Sequence, residues 1–369
     1  MEARIVDREP PGRTEHVWRE PVSLLDLWRK AARAQSTWFG LVLLIVVTWA
    51  AFGAVGTGFL TSFNLYAIGQ LASRDAVIGM AQALLIVVAR MNLAVGSIGA
   101  VSASLLGYLV VVEAFPLLAA LVCVCVVAVL ASVLMGWTEL RTRLSSFIVT
   151  LAFLSIYGGG ALLLTMARQY TITSSTLERI GSGTAFTSGI CPLVLVALAC
   201  GTLVWLLYNH TSLGWKMLSI GANERAARAS GVNVSNVLLA TYAISGLLCA
   251  IGAIMESSYE MTVNASLGSD WLLPSFIAPV LGGAALAGGE ISIPSLIFAA
   301  VFYDSLQSGL TIVNVPTYWL TFAEGLVLLG AVLLDRARRQ RRPRRVRATA
   351  GSSSVPGQRS VAVAESAPS

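Results

Sequence analysis

Between Trp38 and Leu334 the chain returns repeatedly to long apolar runs. An α-helix needs about 20 such residues to cross the hydrocarbon core of a bilayer. No other feature of the sequence restricts the fold so strongly. The chain as a whole is 56% hydrophobic and 12% charged, with a mean hydropathy of +0.75. A soluble domain carries roughly 25% charged residues, so too little polar surface remains here to hold the chain in water. The predicted architecture is an all-α integral membrane protein of about ten transmembrane helices. They fall near residues 39–59, 75–89, 98–112, 116–136, 148–166, 191–208, 237–255, 272–288, 291–312 and 320–334. Asn64–Ser73, moderately apolar, reads as a broken half-helix ahead of the second span.

The orientation follows from the basic residues. With both termini in the cytoplasm, 22 of the 25 Lys and Arg lie on cytoplasmic segments; Arg74, Arg168 and Arg179 fall outside. This is the bias that fixes membrane topology. The net charge of +6 resembles that of a nucleic-acid binder, but eight arginines are packed between Arg336 and Arg347, directly after the last apolar run. There they anchor the chain to anionic lipid headgroups, and no nucleic-acid partner is expected. Residues 1–37 are polar, and the first apolar run is long enough to stay as a span instead of being removed as a signal peptide. Ser23-Leu24-Leu25-Asp26 forms a capping box, with Val22 and Leu27 placed as a hydrophobic staple. The reading is a short interfacial helix with Leu25, Trp28 and Ala32 on one face. Residues 336–369 are a basic, then low-complexity, cytoplasmic tail.

Trp38, Trp137, Trp271 and Trp319 lie at expected span ends, where an indole ring keeps its N–H wet. Cys123, Cys125, Cys191, Cys200 and Cys249 lie in apolar stretches and read as small core residues. His16 and His210 are isolated, so no metal site is expected. A nucleotide-binding loop needs a lysine followed by Ser or Thr. Lys30 precedes Ala31 and Lys216 precedes Met217, so neither qualifies. No nucleophile–base pair or pair of carboxylates stands out, so the chain does not read as a catalyst.

The most informative stretch is the cytoplasmic loop 209–235. Asn223 is a good helix N-cap, Glu224 favours a first turn, and Gly231 suits the left-handed residue after a helix end. Arg225, Ala226, Ala227, Arg228 and Ser230 fill a helix of about seven residues, too short to persist alone in water. It must therefore pack on something. Arg225 and Arg228 share a face suited to an acidic groove on a partner.

The run Gly221–Val234 resembles the coupling-loop signature of the ribose-type permease family of bacterial ABC importers. Three further stretches are similar and occur in the family's order: Met91–Ser97, Phe147–Tyr157 and Gly282–Gly289. The resemblance covers about Asn64 to Asp335. It implies a multi-pass protein of the bacterial inner membrane that forms the path for a small sugar or polyol. It also implies three partners: an ATP-binding subunit with two nucleotide sites, an extracytoplasmic solute-binding protein, and a second permease subunit, identical or different. No cofactor is bound by the chain itself; ATP is used by the partner. This sequence departs from the family pattern at Ala89-Arg90-Met91-Asn92-Leu93-Ala94, where relatives usually have Gly-Gly-Ile-Asp-Leu-Ser. It departs again at Leu272–Pro274, where they tend to carry acidic residues, and at Glu290, where they have a basic one.

Four residues are candidates for lining the path: Asn92, Ser97, Asp304 and Glu324. Ionisable groups within spans are costly and often functional. Asp304 and Glu324 read either as partners for solute hydroxyls or protons, or as an interhelical hydrogen bond and an interface position respectively. The proton reading would make the chain an ion-coupled secondary transporter instead. Arg90 is expected to snorkel to the cytoplasmic face. Glu256, Glu260 and Asp270 are expected in an external segment.

Overall fold

Backbone amides in hydrocarbon must be satisfied within their own segment, and the apolar runs accordingly form helices. The structure is a computed structural model that describes residues 24–56, 58–183 and 191–340. The long helices are α1 (Leu24–Val55), α2 (Ser62–Val87), α3 (Val95–Gly107, prolonged by one π-helical turn to Val112), α4 (Leu117–Thr142) and α5 (Ser146–Thr165). Short α6 (Ser175–Gly181) leads to α7 (Pro192–His210), and α8 (Ser212–Ala222) and α9 (Glu224–Ala229) occupy the loop 209–235. The chain continues through α10 (Val234–Glu260), α11 (Leu272–Leu281), α12 (Ile293–Ile312) and α13 (Thr317–Gln340). The strands among the described residues are two-residue segments, β1 (Tyr170–Thr171) and β2 (Thr262–Val263), paired antiparallel.

Eight described helices are long and apolar enough to cross a membrane, and two shorter apolar segments, Leu272–Leu281 and Tyr318–Gly330, stand where the eighth and tenth spans were expected. The eighth stops early for a local reason. Gly283 adopts φ +92°, the Gly283 and Ala284 N–H groups donate back to Val280 and Pro279 at 3.0 and 2.8 Å, and the helix closes in a Schellman turn. The short interfacial helix expected to carry Leu25, Trp28 and Ala32 is not separate: the backbone runs unbroken from Leu24 into the first span. Ser23 lies outside the described residues.

The bundle is organised around α2. Seventeen of its 26 residues are buried, against 7 of 26 in α4 and 5 of 20 in α5, whose outer faces expose Leu118, Leu130, Leu151 and Leu163 as lipid-facing surfaces do. Neither a break at Asn64–Ser73 nor a start at residue 75 is found; α2 is one helix beginning at Ser62. Its polar residues Gln70, Ser73, Asp75 and Gln82 lower its hydropathy without interrupting it, because their partners are protein and not lipid. Gln70 Nε2, for example, donates to the Gly181 carbonyl at 2.6 Å.

Arg74, expected in an external loop, sits mid-helix. Its Nε donates to Asp75 Oδ1 at 2.8 Å, and its Nη1 lies 3.3 Å from Glu256 Oε1 on α10. Trp271, expected at the membrane surface, is fully buried, and its indole N–H donates to Glu256 Oε2 at 2.6 Å. A buried carboxylate does here what interfacial water was expected to do. Trp137 and Trp319 are about half exposed, as surface indoles are. Among the described residues no group of His, Cys, Asp and Glu is arranged to hold a metal, and all five cysteines are unpaired.

Removing one partner of a buried ion pair strands the other charge. Arg74→Met is therefore expected to lower unfolding free energy in detergent by about 3–5 kcal/mol. Adding Glu256→Gln in the same chain should recover part of the loss. Wild-type stability in Arg74→Met would show that the cluster is not held by this charge.

Candidate functional site in the loop 209–235

Thr211 ends α7 and caps α8, its hydroxyl accepting from the Gly214 N–H at 3.4 Å. The sequence reading missed α8. Its signal was the spacing of Leu213, Met217 and Ile220, a helical stripe of which Met217 and Ile220 are buried. Asn223 is extended (φ −166°, ψ 103°) and its Oδ1 accepts from the Ala226 N–H at 3.1 Å, closing the N-terminus of α9. At the other end Ser230 is the C-cap, its N–H bonding the Ala226 carbonyl at 3.0 Å, and Gly231 turns left-handed at φ +82°. The helix has six residues, one fewer than expected.

A helix this short borrows its stability from packing, and the structure shows where. Ala227, 4% exposed, is buried in the core cluster, and α9 packs against α8 and α10 of its own chain. Support from a partner is therefore not what keeps it folded. Arg225, Ala226, Arg228 and Ala229 are exposed, and Glu224, Arg225, Arg228 and Ala229 border a shallow groove. Arg228 Nη2 donates to Glu224 Oε1 at 3.1 Å on the same helix.

The loop is fastened to the membrane helices at two places. First, a Cβ at Gly221 would come 1.8 Å from the Val87 carbonyl oxygen of α2, so only glycine permits the approach. The same carbonyl accepts from the Gly289 N–H at 3.2 Å. Second, Arg90 Nη2 donates to Glu224 Oε2 at 2.9 Å, while its Nε lies 2.5 Å from Glu139 Oε1 at the end of α4. Tyr242 of α10 donates its hydroxyl to Glu139 Oε2 at 2.5 Å. Arg90 thus reaches the cytoplasmic end, as expected, and pairs with two carboxylates there. Glu139 and Tyr242 were not singled out in the sequence. The available signal was a glutamate in the last turns of an otherwise apolar helix.

All four stretches that carry the family resemblance meet around this end. Gly221 touches Val87 and Gly289, Met91 N–H donates to Ser146 Oγ at 3.3 Å just before Phe147, and Ser97 Oγ donates to the Leu154 carbonyl at 2.9 Å. Asn92 is fully buried and its Oδ1 accepts from the Ala94 N–H at 2.8 Å, shaping the turn between α2 and α3. Asp304 is buried on α12 with no hydrogen-bond partner for Oδ2. Glu324 is half-buried on α13, accepting from Gln307 Nε2 at 2.6 Å. No hydrogen bond or ion pair among the described residues joins Asn92 or Ser97 to Asp304 or Glu324.

A multi-pass bundle with a capped helix pair fastened to its inner end defines the membrane domain of a transport system. The chain belongs to the family described as the permease component of branched-chain amino acid transport systems, which matches residues 59–332. It is similar to the fructose import permease protein of Rhizobium meliloti, 29% identical over 306 residues that cover 80% of this chain and 84% of that one. The ribose import permease protein of Escherichia coli is 28% identical over 302 residues, covering 80% and 92%. The xylose transport system permease protein of the same organism is 25% identical over 360 residues, covering 82% and 91%. No solved structure matches the chain. The chain is thus a multi-pass inner-membrane permease of this transport family, similar to bacterial sugar import permeases.

Glu224 lies outside the spans. Partial burial pushes its carboxyl up, but hydrogen bonds and charge from Arg90 and Arg228 outweigh this and hold it below its ordinary 4.5. A carboxylate with a lowered native pKa stabilises the fold above the ordinary value and ceases to do so as pH falls through the lowered one. Amide exchange in α9, corrected for intrinsic pH dependence, should therefore be constant near neutrality and rise below pH 4.5. Asn223→Ala should raise α9 exchange at every pH, by the equivalent of about 1 kcal/mol.

Proposed function

We propose that this chain is the membrane-spanning subunit of an ATP-driven importer of a small sugar or polyol. In this reading α9 is the surface on which a separate ATPase subunit acts. The observation that carries it is the division of α9 into two faces. Ala227 is fixed against the chain's own core, while Arg225, Ala226 and Arg228 stay exposed beside a groove. Such a helix transmits force well, because it is anchored on one side and open on the other. Its exposed arginines suit an acidic groove on a partner.

The ATPase supplies two nucleotide sites, an extracytoplasmic binding protein delivers the solute, and a second permease subunit completes the path. This chain binds no cofactor and hydrolyses no ATP. Similarity to fructose, ribose and xylose permeases supports a hydroxyl-rich solute. The ion-coupled alternative rests on Asp304 and Glu324, and family membership weighs against it.

The test is uptake of radiolabelled D-ribose, D-fructose and D-xylose by proteoliposomes holding the permease, its ATPase and its binding protein. At least one sugar should enter only with ATP, and a protonophore should not stop it. Ala226→Trp, which adds bulk on the exposed face, should abolish sugar-stimulated ATP hydrolysis while the protein stays in the membrane. Uptake without ATP that collapses with the proton gradient would overturn the reading, as would full stimulation in Ala226→Trp.

A further inference from the structure

Arg90 stands where two structural devices meet. The first is the end of α2. Ala89 adopts φ +57°, a left-handed conformation that a Cβ makes costly, and it takes the place that glycine usually fills in a Schellman turn. Its N–H and that of Arg90 return to the Ile86 and Leu85 carbonyls, both at 2.9 Å. The backbone of Arg90 is therefore part of the end of α2 and cannot swing independently of it. The second is the carboxylate pair on either side. Glu224 comes from α9, and Glu139 from α4, itself held by Tyr242 of α10. Tyr242 is locked in turn, since its ring packs on Gly136 and its carbonyl accepts from Ser132 Oγ at 2.6 Å.

One residue thus joins the loop helix to three membrane helices: to α2 through its backbone, to α4 through its pairing with Glu139, and to α10 through the Tyr242 hydroxyl on that carboxylate. A lysine lacks the guanidinium fork. Arg90 is mostly buried and Glu139 almost wholly so, and their ion pair is shielded from the screening that weakens surface pairs. Beyond Arg90 the chain is non-helical until Val95, and this stretch holds the buried Asn92 turn. Displacement of the end of α2 therefore acts directly on the start of α3.

We propose that Arg90 is a positioning residue that carries displacement of α9 to the α2–α3 junction and to the α4–α10 pair, so that ATP hydrolysis is tied to solute movement. This proposal rests on the coupling role given to α9 above, and the experiment separates the two. The measured quantity is ATP hydrolysed per sugar imported, in proteoliposomes of the complete importer, with radiolabelled D-ribose, D-fructose or D-xylose as the probe. A merely structural role would lower the amount of folded protein and leave that ratio alone.

Arg90→Gln should raise the ratio about tenfold, the factor that corresponds to losing one charge-assisted hydrogen bond. Glu139→Gln should also raise it, and the double variant should go no further than the larger single effect, because both act through one strut. If Arg90→Gln fails to reach the membrane, Glu139→Gln alone decides by the same ratio. An unchanged ratio in Arg90→Gln, or effects that multiply in the double variant, would overturn the proposal. If Ala226→Trp abolishes coupling while Arg90→Gln leaves it intact, only the strut falls. If Ala226→Trp leaves coupling intact, the role of α9 falls first.

Discussion

A polar group inside a bilayer has no water to turn to, and most of this architecture follows from finding it a partner within the protein. A helix that carries Gln70, Ser73, Arg74, Asp75 and Gln82 is placed at the centre. In α2 the Arg74 charge is met by Asp75 and Glu256, and Gln70 by a carbonyl of α6. The reverse holds at the periphery. There α4 and α5 turn leucines and phenylalanines outward, where hydrocarbon is an adequate neighbour. Polar side chains within the spans thus mark the protein-facing surface of α2, and apolar ones the outer faces of α4 and α5.

The same need for partners shapes the inner end of the bundle. Helix ends leave carbonyls unsatisfied, and here those of α2 are used to hold the rest together. Leu85 and Ile86 receive the turn through Ala89 and Arg90, while Val87 receives Gly289 and lies against Gly221. The loop 209–235 is therefore not a tether between α7 and α10. It is a two-helix element seated on the end of the central helix. An element so seated moves with what it touches, and a bundle of packed side chains has few intermediate arrangements. This is the physical basis for assigning force transmission to it.

Much of this was legible in the sequence, and the failures have physical causes. The apolar runs marked every helix of the bundle, because lipid demands length and hydropathy together. The limits of α9 were legible because Asn223 and Gly231 are local signals that need no knowledge of the fold. The start of α2 was not, since a hydropathy reading treats Arg74 and Asp75 as exposed to lipid when they face protein. For the same reason Trp271 was placed at the surface and Glu256 outside it: each looks misplaced until its partner, 15 residues away in sequence, is known. The Arg90–Glu139–Tyr242 chain was illegible because its members come from α4, α10 and the turn after α2. Only the folded bundle brings them within hydrogen-bonding distance.

The chain emerges as a permease whose central helix is stabilised by internal charge and whose inner end presents one small, firmly held helix to the cytoplasm. We propose that an ATPase subunit engages α9 directly. The most direct test places a photo-crosslinking amino acid at Arg225, in cells that also express the ATPase. Illumination is expected to give an adduct between this chain and the ATPase, with none from the same group placed at lipid-facing Leu163. Should position 225 never yield that adduct although the two subunits are present in one membrane, α9 is not the contact, and the account of coupling built on it is wrong.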